Sequence, residues 1–372
     1  MPKRPITSYF TAAPSKKPKL SLHSDLPPST HPSYPFPIAC LPPSLELSST
    51  KPVEKDNNEK DTNEKDTNEK DTSGENANEK DTNEKVPNEK APNEAPEASK
   101  TTNATKPPTQ EEIPPTAITH KQDLSILHYH PFLHTSLSKE LFLFLRKQLP
   151  FYRVEYRIAR AGVETNVKTP RYTSLFGVDA ISYFHPHSGE LLDTKSKHPV
   201  PPDRYRCSPR PVPQCVEMLR QYVAKRTGCS YNFVLINYYA DGNDSISYHS
   251  DDERFLGENP AIASLSLGSR RDFLMKHKTV PALTHTFPLP SGDLLLMRST
   301  TQSKWLHSIP KRSSSSSTAG DSTASWAGGG RINITFRNAL ERGGTENYYC
   351  YNIGSGPVYR WDDVSGKMVL KA

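Results

Sequence analysis

The sequence predicts an α+β domain whose strands form a sandwich or barrel, confined to roughly the last two thirds of the chain. Three observations lead there: two amphipathic helical patterns, six short apolar runs behind them broken by Gly, Pro, Asn or Asp, and a long polar, low-complexity stretch in front.

That stretch, residues 1–119, is rich in Pro, Ser, Thr, Asn, Lys and Glu. It repeats NEKDT from Asn58 to Asp81, with echoes at NEKVP and NEKAP. Such a composition buries too little apolar surface to offset its ordering entropy, so a disordered region is expected. A five-residue period is also too short for a solenoid unit. Residues 51–100 hold 9 Lys/Arg against 15 Asp/Glu, whereas residues 120–372 hold 32 against 22. A basic folded part points to a polyanionic partner. Five cysteines, with no CxxC spacing, fit neither a disulfide framework nor a cysteine zinc site. No signal-peptide core is visible, and no stretch approaches the ~18 apolar residues of a membrane span. A soluble intracellular monomer, not a membrane protein, is expected.

Two pieces of the tail stand out. KRPITSYF (Lys3–Phe10) sets Ile6, Tyr9 and Phe10 at i, i+3 and i+4, so one helical turn would present three apolar anchors to a groove. The spacing is similar to the PCNA-interacting peptide of replication and repair proteins, with Lys3 where that motif carries Gln; chance apolar residues are the alternative. SKKPK (Ser15–Lys19) reads as a nuclear import signal or as a solvating charge cluster.

Order is expected to begin near Thr119, with a domain over 120–342 and an extension over 343–372. SLSKELFLFLRKQL (Ser136–Leu149) has serines for a cap, Glu140 for the first turn, and Leu141, Leu145 and Leu149 at four-residue spacing. PQCVEMLRQYVAKRTG (Pro213–Gly228) starts on Pro, aligns Val216, Leu219 and Val223, and stops on Gly. The strand candidates are NFVLINYY, AIASLSLG, RDFLMKH, DLLLMR, KWLHSIP and RINITFR. RSSSSSTAGDSTASWAGGG (312–330) reads as a flexible surface loop too poor in apolar residues to be core.

The chain carries no GxSxG elbow, no P-loop and no HExxH. YHSDD remains, with His249 and Asp251 at i and i+2. On extended chain both point to one face, within reach of a single ion. A third ligand must come from another strand, and KWLHSIP supplies His307. Two histidines and one carboxylate are the facial triad of non-haem Fe(II) oxygenases; polar residues at a strand end are the alternative. In RINITFR, alternation puts Arg331, Asn333, Thr335 and Arg337 on one face and Ile332, Ile334 and Phe336 on the other. That polar face suits a dicarboxylate, because a guanidinium fork grips a carboxylate in bidentate fashion. An ordinary amphipathic strand with one wet face would read the same way.

With TPRYTSLFG (Thr169–Gly177), FVLINYYADGNDSISYHSDDE (Phe233–Glu253) and IASLSLGSRRDFLMKHK (Ile262–Lys278), these motifs resemble the AlkB family of Fe(II)- and 2-oxoglutarate-dependent dioxygenases, especially its eukaryotic DNA-dealkylating members. The resemblance covers roughly residues 168–340. It implies a double-stranded β-helix, or jelly-roll, core with flanking helices. It also implies Fe(II) held by the catalytic residues His249, Asp251 and His307, with 2-oxoglutarate and O2 as co-substrates. Arg331 would meet the iron-proximal end of 2-oxoglutarate and Arg337 its distal carboxylate, with Asn333 and Thr335 on the same face and Asn237 and Tyr239 as further hydrogen-bonding positions. Asp252 would lie near the damaged base, Tyr183 and Phe184 would wall a flipped base, and Arg171 would contact substrate.

The implied reaction hydroxylates the N-methyl group of 1-methyladenine or 3-methylcytosine in single- or double-stranded DNA, releasing formaldehyde, succinate and CO2. RNA or a protein side chain is the alternative substrate of this cofactor class. A replication-associated binding module with an inactive pocket is a third reading. The relatives probe the duplex with an aromatic finger or hairpin, whereas the corresponding RIARAGVETNVK (Arg157–Lys168) carries no aromatic and offers Arg157, Arg160 and Lys168 to phosphates.

Overall fold

A computed structural model describes residues 26–45, 47, 113–160, 163–312, 324–340 and 346–371. The NEKDT repeats, the segment carrying Ile6, Tyr9 and Phe10, and the basic cluster 15–19 lie outside these residues.

Strands β1 (Thr116–Ile118) and β2 (Ile126–Tyr129) lead to helix α1 (Thr135–Gln148). Next come β3 (Phe151–Tyr152), the hairpin β4 (Glu155–Arg160) and β5 (Val163–Lys168), and β6 (Tyr172–Gly177). A small hairpin, β7 (Ser182–Phe184) and β8 (Leu191–Asp193), precedes helix α2 (Gln214–Thr227). Then follow β9 (Phe233–Tyr239), β10 (Ile246–His249), β11 (Ile262–Gly268), β12 (Arg271–His277), β13 (Thr284–Leu289) and β14 (Leu294–Met297). The short helix α3 (Thr301–Lys304), β15 (Trp305–Ile309), the turn α4 (Ala324–Ala327) and β16 (Arg331–Arg337) come next, and α5 (Glu346–Cys350), β17 (Val358–Asp362) and β18 (Lys367–Leu370) end the chain.

The strands assemble into two main antiparallel sheets. The major one runs β1-β2-β14-β11-β16-β9-β6-β3-β17-β18 and the minor one β10-β15-β12-β13. Side chains from both, among them Leu235, Leu295, Met297, Phe273, Phe287 and Trp305, form one buried layer between them. The other face of the major sheet is covered by α1 and α2, which close over Ile332, Ile334 and Phe336. This is the jelly-roll sandwich with flanking helices that the resemblance implied. Among the described residues no helix is long and apolar enough to cross a membrane.

Both long helices form where expected, with differences at their ends. The four-residue leucine spacing buries Leu141, Leu145 and Leu149. The cap of α1 is His134, whose ring accepts from the Ser136 N–H, rather than a serine. Because α1 begins at Thr135, Glu140 falls beyond its first turn. Helix α2 stops on Gly228 at φ 68°, a left-handed geometry that costs glycine little.

Three expectations are corrected. Within the stretch taken as disordered, residues 26–45 fold onto the domain: Ile38 and Leu41 are at most 1% exposed, Ser29 and Ile38 form a β-bridge, and the Tyr34 hydroxyl donates to the Pro211 carbonyl at 2.6 Å. Sparse apolar residues among prolines have no helix or strand period, so composition hid them. The C-terminal residues are no appendage, since β17 pairs with β3 and extends the major sheet, while Tyr348 is fully buried and donates to the Gly177 carbonyl at 2.8 Å. The end of the serine-rich loop is partly core, because Ala327 is buried and Trp326 packs edge-on against Phe142 of α1 at 5.6 Å.

Docking of residues 26–45 makes a measurable difference to stability. Ile38→Ala should destabilise the domain by about 2–5 kcal/mol, as at other buried isoleucines, in urea unfolding. Leu26→Ala, at a side chain 54% exposed, should leave the midpoint where it is; equal midpoints for both variants would mean that the segment does not dock.

Candidate active site

Strands β10 and β15 pair so that His249 stands opposite His307, and their ring centroids come within 4.2 Å. Asp251 follows just past β10, buried at 5% exposure. Its Oδ1 lies 3.8 Å from His249 Nε2 and its Oδ2 3.9 Å from His307 Nε2. One donor atom from each residue lies within 4.8 Å of the other two. Here the i, i+2 spacing has brought the pair to one place, and the antiparallel register has added the third member.

The surroundings set the protonation that a metal needs. His249 Nδ1 lies 2.9 Å from the Ser247 carbonyl, which can only accept, so Nδ1 carries a hydrogen and Nε2 is the nitrogen left for a metal. Burial pushes His307 down to about 3, leaving that ring neutral at physiological pH. Phe273 stacks on it at 5.0 Å and an interplanar angle of 21°. Burial alone would raise the Asp251 carboxyl, but the Arg337 guanidinium outweighs it and holds the group below the usual carboxylate range. Arg337 Nη2 is 3.0 Å from Asp251 Oδ1, and its Nη1 is 3.3 Å from Glu253 Oε1. The Gln302 side-chain oxygen accepts from the Asp251 N–H at 3.0 Å, fixing the backbone at the turn. Two imidazole nitrogens and one carboxylate are the donor set that non-haem iron takes.

Asn237, Tyr239, Asn333, Thr335 and Arg337 line the same cavity as the triad. Register places them together, since Asn333 pairs with Asn237 and Arg331 with Tyr239 across β16 and β9. Thr173 donates to the Asn237 side-chain oxygen at 3.1 Å. Asn333 donates to Ser264 Oγ at 2.8 Å, and Thr335 donates to the Leu235 carbonyl at 3.0 Å.

The two arginines stand in the reverse of the implied order. Arg337 sits at the triad end, and Arg331 lies at the far end of β16, against Tyr239 at 5.5 Å. Alternation fixes which face a residue occupies but not which end of the strand meets the metal, and only the pairing with β10 and β15 decides that. Arg331 is fully buried; its Nη2 donates to Ser266 Oγ at 2.9 Å, while its Nε and Nη1 have no partner. Burial lowers it to about 10, so it is still charged at neutral pH. A buried cation with two unanswered N–H groups fits a carboxylate, as 2-oxoglutarate requires.

The expected substrate residues divide. Asp252 is not among the residues lining the triad cavity and pairs with Lys278 Nζ at 2.8 Å. Arg171 lies near enough to Tyr239 to act on its hydroxyl. Tyr183 and Phe184 do not reach the triad cavity: they belong to the β7–β8 hairpin, Tyr183 lies under Lys197, and Phe184 packs edge-on against His31 at 5.5 Å. Their aromatic character gave no information on which sheet they join. Glu253, Gln302 and Phe273 were missed. Glu253 was open to the same i, i+2 argument from Asp251, whereas nothing local marked Gln302.

Comparison with known proteins agrees with this geometry. Residues 125–337 match the 2OG-Fe(II) oxygenase superfamily. The DNA oxidative demethylase ALKBH2 of Homo sapiens is 38% identical over 140 residues, covering 36% of this chain and 49% of that protein. The alpha-ketoglutarate-dependent dioxygenase alkB homolog 3 of Bos taurus is 35% identical over 188 residues, 48% of this chain and 55% of that one. The Arabidopsis thaliana ALKBH2 is 29% identical over 244 residues, 59% and 68% of the two chains. The match thus spans about half the length of the first two relatives.

The separate ends of β16 should give separable phenotypes. Arg337→Ala should weaken Fe(II) uptake, read by anaerobic titration, because Asp251 loses the cation that keeps it ionised. Arg331→Ala should leave Fe(II) uptake intact and weaken 2-oxoglutarate binding by about tenfold or more, the scale of a lost charged hydrogen bond. The opposite assignment would restore the order implied by resemblance.

Proposed function

The chain belongs to the 2OG-Fe(II) oxygenase superfamily, and from that premise we propose that it is an oxidative demethylase of N-alkylated bases in DNA. The observation that carries the reading is the triad itself, with neutral His307, ionised Asp251 and His249 Nδ1 tied to the Ser247 carbonyl, in one cavity with the polar face of β16. With iron bound, the oxidation of 2-oxoglutarate to succinate and CO2 by O2 supplies the equivalent that hydroxylates the N-methyl carbon of 1-methyladenine or 3-methylcytosine, after which formaldehyde departs.

The chain's own residues prepare for that chemistry. His249, Asp251 and His307 would hold the metal through Nε2, a carboxylate oxygen and Nε2. Arg337 keeps Asp251 anionic, and Phe273 shields His307 from water. Arg331 would hold a carboxylate of 2-oxoglutarate in place of the partners its Nε and Nη1 lack. No side-chain nucleophile is required.

DNA as substrate is supported by the names of the relatives, by the basic balance of residues 120–372, and by the β4–β5 hairpin. The hairpin begins before the stretch compared above and so includes Tyr156, 49% exposed. Its ends are tied by Lys168 to Glu155 at 2.9 Å. An exposed aromatic on a braced hairpin suits insertion beside a base that must leave the stack. A nuclear, replication-linked setting belongs to the same proposal, resting on the segment of Ile6, Tyr9 and Phe10 and on the basic cluster 15–19.

Anaerobic loading with Fe(II) and 2-oxoglutarate, then O2 and mass spectrometry of an oligonucleotide carrying 1-methyladenine, should show loss of the methyl group with succinate in the wild type and neither in His249→Ala. Tyr156→Ala should lower turnover on duplex more than on single strand. Succinate without demethylation of DNA, but with demethylation of the matching RNA, would move the substrate. Tyr9→Ala/Phe10→Ala should abolish binding to PCNA in titration calorimetry; unchanged binding would remove the docking reading.

A further inference from the structure

A second group of metal-ligating side chains lies at the rim of the sandwich. His128 is in β2, His130 follows two residues later, and Asp293 immediately precedes β14, which pairs with β2 so that Leu295 opposes His128 and Leu294 opposes Tyr129. Continuing that ladder sets Asp293 beside His130. The i, i+2 spacing turns both imidazoles to one side, as it does for His249 and Asp251.

The donor atoms converge. His128 Nε2 is 2.8 Å from Asp293 Oδ2, and His130 Nδ1 is 2.7 Å from Oδ1 and 2.9 Å from Oδ2. One ligand atom from each of the three lies within 4.8 Å of the others. The Asp293 side chain is 1% exposed, and its ion-pair partners among the described residues are these two imidazoles. Its carbonyl accepts from the Ser266 N–H at 2.9 Å, anchoring it to β11. His128 is 19% exposed and backed edge-on by Phe287 at 5.8 Å, so its ring is held. His130, 61% exposed, gives an ion access from solvent and leaves room for water as a further ligand.

We propose that His128, His130 and Asp293 form a second metal site, taking a zinc-class divalent cation through two imidazole nitrogens and one carboxylate oxygen. Two imidazole nitrogens and a carboxylate oxygen are ligand types that zinc takes at about 2.0–2.2 Å, and admitting the ion needs the donors, now 2.7–2.9 Å apart, to spread only to roughly 3.3 Å. A bound cation would place its charge against the buried Asp293 carboxylate, whose side chain is 1% exposed. The site is separate from the triad. Asp293 stands four residues before Met297, which lines the triad cavity, a distance of roughly 13 Å along the chain at strand rise. The ion would clamp β2 to the turn before β14, where Phe132 and Leu133 already donate to the Gly292 carbonyl at 2.9 and 3.0 Å. This assignment does not depend on the reaction proposed above.

The test uses full-length protein stripped with chelator, dialysed against micromolar Zn(II) and assayed by elemental analysis. His249→Ala/His307→Ala, which dismantles the triad, should retain one equivalent of zinc, and adding His130→Ala should lose it. In case the triad variant folds poorly, the native-triad pair gives the same answer: two equivalents for the wild type and one for His130→Ala. Thermal unfolding should rise with added zinc in the wild type and lose part of that rise in His130→Ala. Zinc retained equally with and without His130, or no zinc in a folded triad-less protein, would overturn the assignment and leave His128, His130 and Asp293 as a hydrogen-bonded cluster only.

Discussion

Every one of the seven residues of β16 is buried, so Ile332, Ile334 and Phe336 must find apolar neighbours under the helices while Arg331, Asn333, Thr335 and Arg337 must find polar ones between the sheets. A slip of one residue against β9 or β11 would put two guanidinium groups into the helix-covered core. The register is therefore strongly determined, and with it the positions of Asn237 and Tyr239 on β9 and of Ser264 and Ser266 on β11. The polar interior is a consequence of how that one strand must pair.

The charges at its two ends are satisfied differently. At one end Arg337 meets Asp251 and Glu253, so a buried cation is balanced by carboxylates from the turn after β10. At the other, Arg331 has Ser266 and the face of Tyr239 but no carboxylate. Isolated buried charge is costly unless paired. An asymmetry of this kind, with one end neutralised by the protein and the other awaiting an anion, gives the cavity a direction from metal to co-substrate.

Much of this was legible in the sequence, for physical reasons. Four-residue leucine spacing, the terminal glycine of α2 and the alternation of RINITFR each act locally, and each reappears in the fold. His249 and Asp251 were legible because two residues on extended chain share a face; His307 was legible as the one more ligand such a pair needs. What stayed hidden depends on pairing across the chain: which arginine meets the metal, that Tyr183 and Phe184 join a separate hairpin, and that Gln302 holds the backbone of Asp251. Residues 26–45 were missed for another reason. Tyr34, Ile38 and Leu41 bury themselves from irregular backbone, so their packing left no periodic trace.

The docking of residues 26–45 changes the topology of what precedes the domain. Leu45 and Leu47 are buried before the repeats and β1 begins at Thr116 after them, so the fold holds the chain on both sides of the array. Whatever its length, the NEKDT array joins two points that the domain itself holds, and on its N-terminal side Ile38 and Leu41 tie the chain into the core.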